Sequence, residues 1–145
     1  MKSERLWPVA APFVQNRTVV TDDIDEFGHV NNVRYIDWAM DAAWVHSDAL
    51  NLSFSEYRRL GVGCVVWRHE FDYVAAALEG DDVEIATWIA ENDNRVRLRR
   101  AFEMRRARDG AILFRGKTVF VTVDMETGKP ARMPEEFIKG YKPAE

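Results

Sequence analysis

One cysteine, Cys64, stands in the whole chain, so an intramolecular disulfide is excluded. A reducing compartment suits that count. No run of apolar residues is long enough to span a bilayer, so no membrane helix is expected. The opening MKSERLWPVAAPF lacks the apolar stretch of a signal peptide, which makes a cytoplasmic protein the expectation. The histidines number only three, at 29, 46 and 69, without metal-ligand spacing. There is no excess of positive charge either. The formal net charge is −4, and no helix-turn-helix or zinc pattern accompanies the basic residues, so nucleic acid is not an expected partner. A G-x-S-x-G elbow, a P-loop and a dinucleotide fingerprint are all missing. A serine hydrolase is therefore unsupported, and neither metal nor cofactor is expected.

What is present is an ordinary globular composition, 47% hydrophobic and 30% charged over 145 residues. One domain over residues 1–145 is expected, large enough to bury roughly 70% of its unfolded surface. Residues 1–12 read as an irregular arm, because Pro8 and Pro12 block regular pairing. A first strand is expected over Phe13–Thr21, a loop over Asp22–Val30 and a long helix over Asn31–Leu50. That helix is apolar around most of its circumference, which predicts burial. A short helix over Ser53–Leu60 carries Ser53 as its cap. A period-two strand follows, with Val65, Trp67, His69, Phe71 and Tyr73 on one face. Three more strands are expected over Asp81–Glu91, Arg95–Ala107 and Ala111–Asp124, separated by Gly- and Asn-containing turns. The proline-bearing tail ends in a short helix or is loose. A helix this apolar needs a sheet wrapped about it, and one such layer leaves a sheet face for a second copy to cover.

The run DIDEFGHVNNVRY at 23–35 carries the chemistry. Asp25 precedes a glycine, a histidine and two asparagines at a helix start. Asn is a favoured cap, and the first helical turn presents free N–H groups and partial positive charge. One carboxylate beside a ready-made oxyanion site suits attack on an acyl carbonyl.

This run resembles the hotdog-fold acyl-CoA thioesterases of the 4-hydroxybenzoyl-CoA thioesterase type. Further matching pieces are YVAAALEGD at 73–81 and VTVDMETGKPARMP at 121–134. HVNN followed by a basic residue and tyrosine is also similar to plant acyl-ACP thioesterases, although Phe27 stands where that branch has asparagine. The resemblance implies an α+β hotdog fold, an antiparallel sheet wrapped around a central helix, with active sites between two protomers. It implies Asp25 as the catalytic carboxylate and the backbone N–H of Asn32 as the oxyanion donor. His29 matches the histidine of the acyl-ACP branch.

Asp25 could attack the thioester directly or activate a water. The bland alternative is a turn-capping aspartate. The acyl group is expected against Tyr35, Trp38 and Ala39. Glu70 is a candidate second carboxylate near the substrate, or else an exposed strand charge. His69 and Cys64 read as core residues. Arg95, Arg97 and Arg99 form either a solvated face or contacts to coenzyme A phosphates. The expected partners are acyl-CoA, or acyl carrier protein as the thioester's carrier, and a homodimer that could pair into a tetramer. Two other functions use the same fold: a nonenzymatic acyl-CoA-binding module, and a hydratase or dehydratase on acyl thioesters. Asp25 weighs against the first, and the Asp25-to-His29 interval does not match the acid–base pair of the second.

Overall fold

The computed structural model of the chain describes residues 7–145, so the first half of the expected N-terminal arm, residues 1–6, lies outside the described part. Five strands form one antiparallel sheet: β1 (Phe13–Thr18), β2 (Val62–Tyr73), β3 (Asp82–Asn92), β4 (Arg97–Arg106) and β5 (Ile112–Asp124). Their spatial order is β1-β3-β4-β5-β2. The long helix α1 (Asn32–Ala49) packs on one sheet face, flanked by the short helices α2 (Phe54–Leu60) and α3 (Glu135–Gly140). This is the α+β hotdog arrangement.

Strand β1 ends three residues earlier than its sequence suggests. The Asp23 carboxylate accepts the Val20 N–H at 2.9 Å, and Thr21–Asp23 closes into a 3-10 turn. A local side-chain acceptor thus competes with the sheet ladder. The cap at Ser53 forms as expected, with its hydroxyl accepting the Glu56 N–H, and Gly61 ends α2 at φ 73°. There the backbone needs the left-handed region that glycine adopts without a Cβ clash.

Strand β2 departs from strict alternation. Its register against β5 slips between Val66 and Arg68, so Trp67 is an extra residue at a bulge. From His69 onward the odd residues face α1, as expected, and Phe71 packs on the core. Before the bulge the parity inverts: Cys64 and Val66 pair with Thr122 and Phe120, on the α1 side. A bulge inserts one residue, and one residue exchanges the two faces.

The core divides along α1. One cluster joins Tyr35, Trp38, Ala39 and Ala42 to Ile85, Phe102, Met104 and Phe114. A second joins Leu52, Tyr57, Leu98, Phe137 and Tyr141 beyond the helix C-terminus. The tail therefore ends in a packed helix. The expectation that α1 is buried all round holds for one side only. Trp44 and Val33 remain exposed on the other, where no strand reaches.

His46, near the end of α1, stacks on Phe13 at 5.1 Å, and its Nδ1 accepts a hydrogen bond from the Arg100 guanidinium at 2.8 Å. Burial, then the Arg100 charge, lower its pKa to about 4. A free histidine titrates near pH 6.5, so between those values the unfolded chain binds more protons. Stability is complete above that window and is lost as pH falls through it. Thermal denaturation should show a Tm that drops from pH 7 to pH 4.5, with a smaller drop in His46→Gln. Equal slopes in the two proteins would contradict the assignment.

Candidate active site

The loop from Asp23 to Asn31 is folded on itself. The Asp25 N–H donates to the His29 carbonyl at 2.9 Å, and the Gly28 N–H returns to the Asp25 carbonyl at 3.0 Å. Gly28 takes φ 79°, which such a tight turn requires. The Asp25 side chain shares in this turn, as its Oδ1 accepts the Phe27 N–H at 2.9 Å. Its Oδ2 has no hydrogen-bond partner among the described residues. The turn thus holds the carboxylate through one oxygen and leaves the other open. The capping and catalytic readings of Asp25 are compatible.

The loop delivers the chain to α1. The Asn31 N–H donates to the Asp23 carbonyl at 2.8 Å, and Val30 donates to Ala77 at 3.1 Å. Asn31 is the N-cap: its Oδ1 accepts the Val33 N–H at 2.9 Å, and its carbonyl accepts Arg34. The first helical N–H, that of Asn32, has no i−4 carbonyl to bond and no other partner among the described residues. It stays an open donor at the positive end of an 18-residue helix.

Asp25, Phe27, His29, Asn32 and Tyr35 line one cleft of about 390 Å³, closed on the other side by Tyr73–Ala76. Tyr35 builds this wall. Its hydroxyl accepts the Ala77 N–H at 3.0 Å, and its ring stacks on Phe114 at 5.7 Å, which ties the β2–β3 connection to the first turn of α1. Burial raises the Tyr35 pKa, so it is a neutral hydrogen-bonding group. The His29 ring is exposed at the cleft mouth.

Four sequence-predicted residues, Asp25, His29, Asn32 and Tyr35, therefore meet. Three others do not. Trp38 and Ala39 are 1% and 0% exposed, enclosed in the core beneath the cleft. A stripe that is apolar all round gives no sign of which residues meet a ligand and which meet the sheet. Glu70 points from the opposite sheet face, 3.7 Å from Arg68 and near Arg99 and Lys117. Of the arginines read as either a solvated face or coenzyme contacts, Arg99 lies on that same outer face and meets Glu91 at 3.6 Å. Cys64 is a partly buried thiol whose pKa burial raises to about 11. Among the described residues no cluster of His, Cys, Asp and Glu could hold a metal.

Solved structures share this fold. A 1,4-dihydroxy-2-naphthoyl-CoA thioesterase from Synechocystis superposes with a TM-score of 0.81 at 20% identity, over 90% of this chain and 96% of that one. A putative oleoyl thioesterase from Lactobacillus plantarum gives 0.83 at 25% identity, over 91% of this chain and 51% of that one. A hypothetical protein from Staphylococcus aureus, solved in complex with CoA, gives 0.83 at 18% identity, over 94% and 85%. No curated protein sequence matches the chain. The family model of the thioesterase-like superfamily matches residues 19–140, from the end of β1 through the last helix, and the chain belongs to that superfamily.

Proposed function

We propose that the protein is an acyl-CoA thioesterase, hydrolysing the thioester to a free acid and CoA. The observation that carries this reading is the pairing of two unspent groups on one cleft: Asp25 Oδ2 and the Asn32 N–H. An electrophilic carbonyl carbon seated between them meets a carboxylate on one side. Its oxygen meets a preorganised donor on the other, where charge develops as the carbon becomes tetrahedral.

As general base, Asp25 takes a proton from water while the water oxygen bonds to the carbonyl carbon. The oxyanion is held at Asn32 until it collapses and expels the CoA thiolate, which is then protonated. As nucleophile, the same oxygen bonds to the carbon, expels the thiolate and leaves a mixed anhydride for water to cleave. Both routes use one carboxylate oxygen and one N–H. A thiolate is a good leaving group, so neither needs a strong general acid. His29 at the mouth is placed to bond the water or the incoming thioester. The CoA complex of a similar fold supports coenzyme A as the carrier.

The cleft is half a site. Phe27 is 84% exposed beside it, and the free edge of β2 carries Trp67, 69% exposed. A long edge strand with apolar side chains is a template for pairing. In this reading two copies join along their β2 edges, and the partner completes the cleft. In this reading the chain is one hotdog domain that works in the cytoplasm. Among the described residues no helix is long and apolar enough to cross a membrane.

Thiol release from a panel of aliphatic and aromatic acyl-CoAs tests the chemistry. Asp25→Asn, still folded, should lose about 10²–10⁴-fold in kcat across the panel, the usual scale for a general base. Normal turnover in that variant would refute the role of Asp25. Binding of acyl-CoA without release by the wild type would favour a nonhydrolytic module. Light scattering should find the wild type at twice the mass of one chain or a multiple of that, and Trp67→Asp should shift it toward monomer. A monomeric wild type with full activity would contradict the shared site.

A further inference from the structure

A second cavity lies beside the opposite half of α1, and it contains a charge that nothing neutralises. It measures about 200 Å³ and is lined by Trp44, Tyr57, Cys64, Leu98 and Phe120, with Arg100 among them. Arg100 is 2% exposed. It belongs to the inward row of β4, between Leu98 and Phe102, where every neighbour in the row is apolar. No carboxylate lies within ion-pair distance of it among the described residues, although the chain holds 24 aspartates and glutamates.

Its partners are all neutral acceptors. One terminal nitrogen donates to His46 Nδ1 at 2.8 Å and to Thr87 Oγ1 at 3.2 Å; the other reaches Ser47 Oγ at 3.5 Å. A guanidinium has five N–H donors, so these three contacts do not exhaust it. Its face lies 5.9 Å from the Tyr141 ring. The nearby titratable groups are linked as neutral species. The Tyr57 hydroxyl meets both Tyr141 and the Cys64 thiol, and Tyr141 meets Ser47 at 2.7 Å. Burial raises the pKa of both tyrosines and of the cysteine, and lowers that of His46, so none supplies a negative charge. A buried cation without a counter-ion is costly, and an apolar residue of similar size would avoid that cost. A ligand that brings the missing anion offsets it.

We propose that this cavity binds a carboxylate on an aryl or short alkyl body, with Arg100 as its counter-ion. An apolar cavity of about 150 Å³ holds benzene, so about 200 Å³ holds a ring or a short chain with a carboxylate. The body lies against Trp44, Tyr57 and Phe120, and the two carboxylate oxygens take the guanidinium's remaining donors. That carboxylate has two sources: the far end of an acyl group in a CoA thioester held at the cleft of a second copy, because about 20 Å of α1 separates Asn32 from the Arg100 contacts within one protomer, or a free carboxylic acid. The first source rests on the hydrolase reading above; the second does not.

Two measurements separate the sources and keep the two readings apart. In the first, calorimetric titration compares benzoate with benzamide and adipate with adipamide on the wild type. The carboxylates should bind and the amides should not, and Arg100→Gln should remove the difference. In the second, kcat/KM is compared for adipyl-CoA and hexanoyl-CoA, which differ in a terminal carboxylate. The ratio should favour adipyl-CoA in the wild type, fall about tenfold to a hundredfold in Arg100→Gln, and recover in part in Arg100→Lys. Discrimination in titration alone supports the free acid; a shifted ratio supports the acyl end. If hydrolysis is absent with every thioester, the titration still decides the site. The wild-type comparisons need no variant, so misfolding of Arg100→Gln cannot mask the answer. Equal behaviour of carboxylate and amide, with an equal or hexanoyl-favouring wild-type ratio, would overturn the proposal and leave Arg100 as an internal tie between α1 and the sheet.

Discussion

An α-helix leaves its first N–H groups without internal acceptors, and the chain around α1 satisfies them selectively. Asn31 takes two of them: its side chain accepts Val33 and its carbonyl accepts Arg34. The Asn32 N–H is left over, and the loop that precedes it is folded so that Asp25 shares its cleft. Each neighbouring contact serves that arrangement. Asp23 anchors Asn31 from below, the Gly28 turn sets the direction of the Asp25 carboxylate, and Tyr35 holds the opposite wall through Ala77. The sheet supplies the rigid floor: Phe114 under Tyr35, and Phe102 and Met104 in the same cluster. The chemistry proposed for the site needs little else from the protomer.

The two halves of α1 carry opposite electrostatic problems. At its N-terminus a carboxylate and a helix end face solvent in an open cleft. Toward its C-terminus a guanidinium is enclosed among tyrosines, a thiol and a neutral histidine. A hotdog sheet wraps one side of its helix, and Trp44, Val33 and the β2 edge are left bare on the other; Trp44 lines the second cavity and Tyr73 of β2 lines the first. Exposed aromatic residues at that boundary link ligand binding to self-association in the proposed reading. Burial of Trp67 and Phe27 against a second copy would also close the clefts to bulk water.

Much of this was legible in the residues. The Asp25–Asn32 run placed a carboxylate, a turn and a helix start together, because Gly28, Asn31 and the apolar periodicity of α1 are each local signals. The strand limits also followed from alternation and turn chemistry to within a few residues. What escaped depended on nonlocal geometry. The bulge at Trp67 exchanges the faces of β2, and no residue there announces it. Trp38 and Ala39 are apolar like Tyr35, yet only the sheet's position decides that they are covered. Arg100 carried a signal that was available. Leu98, Arg100, Phe102 and Met104 alternate with the outward residues, so an arginine sits in an inward row. The alternation of Arg95, Arg97 and Arg99 draws attention to the outward face, and Arg100 lies on the other.

The most direct test of the account is the structure of the Asp25→Asn protein with a slowly hydrolysed acyl-CoA bound. The account predicts the thioester oxygen within hydrogen-bond distance of the Asn32 backbone nitrogen, and its carbonyl carbon facing the side chain at position 25. A thioester carbonyl seated away from Asn32, with the helix N-terminus bonded only to water, would contradict it.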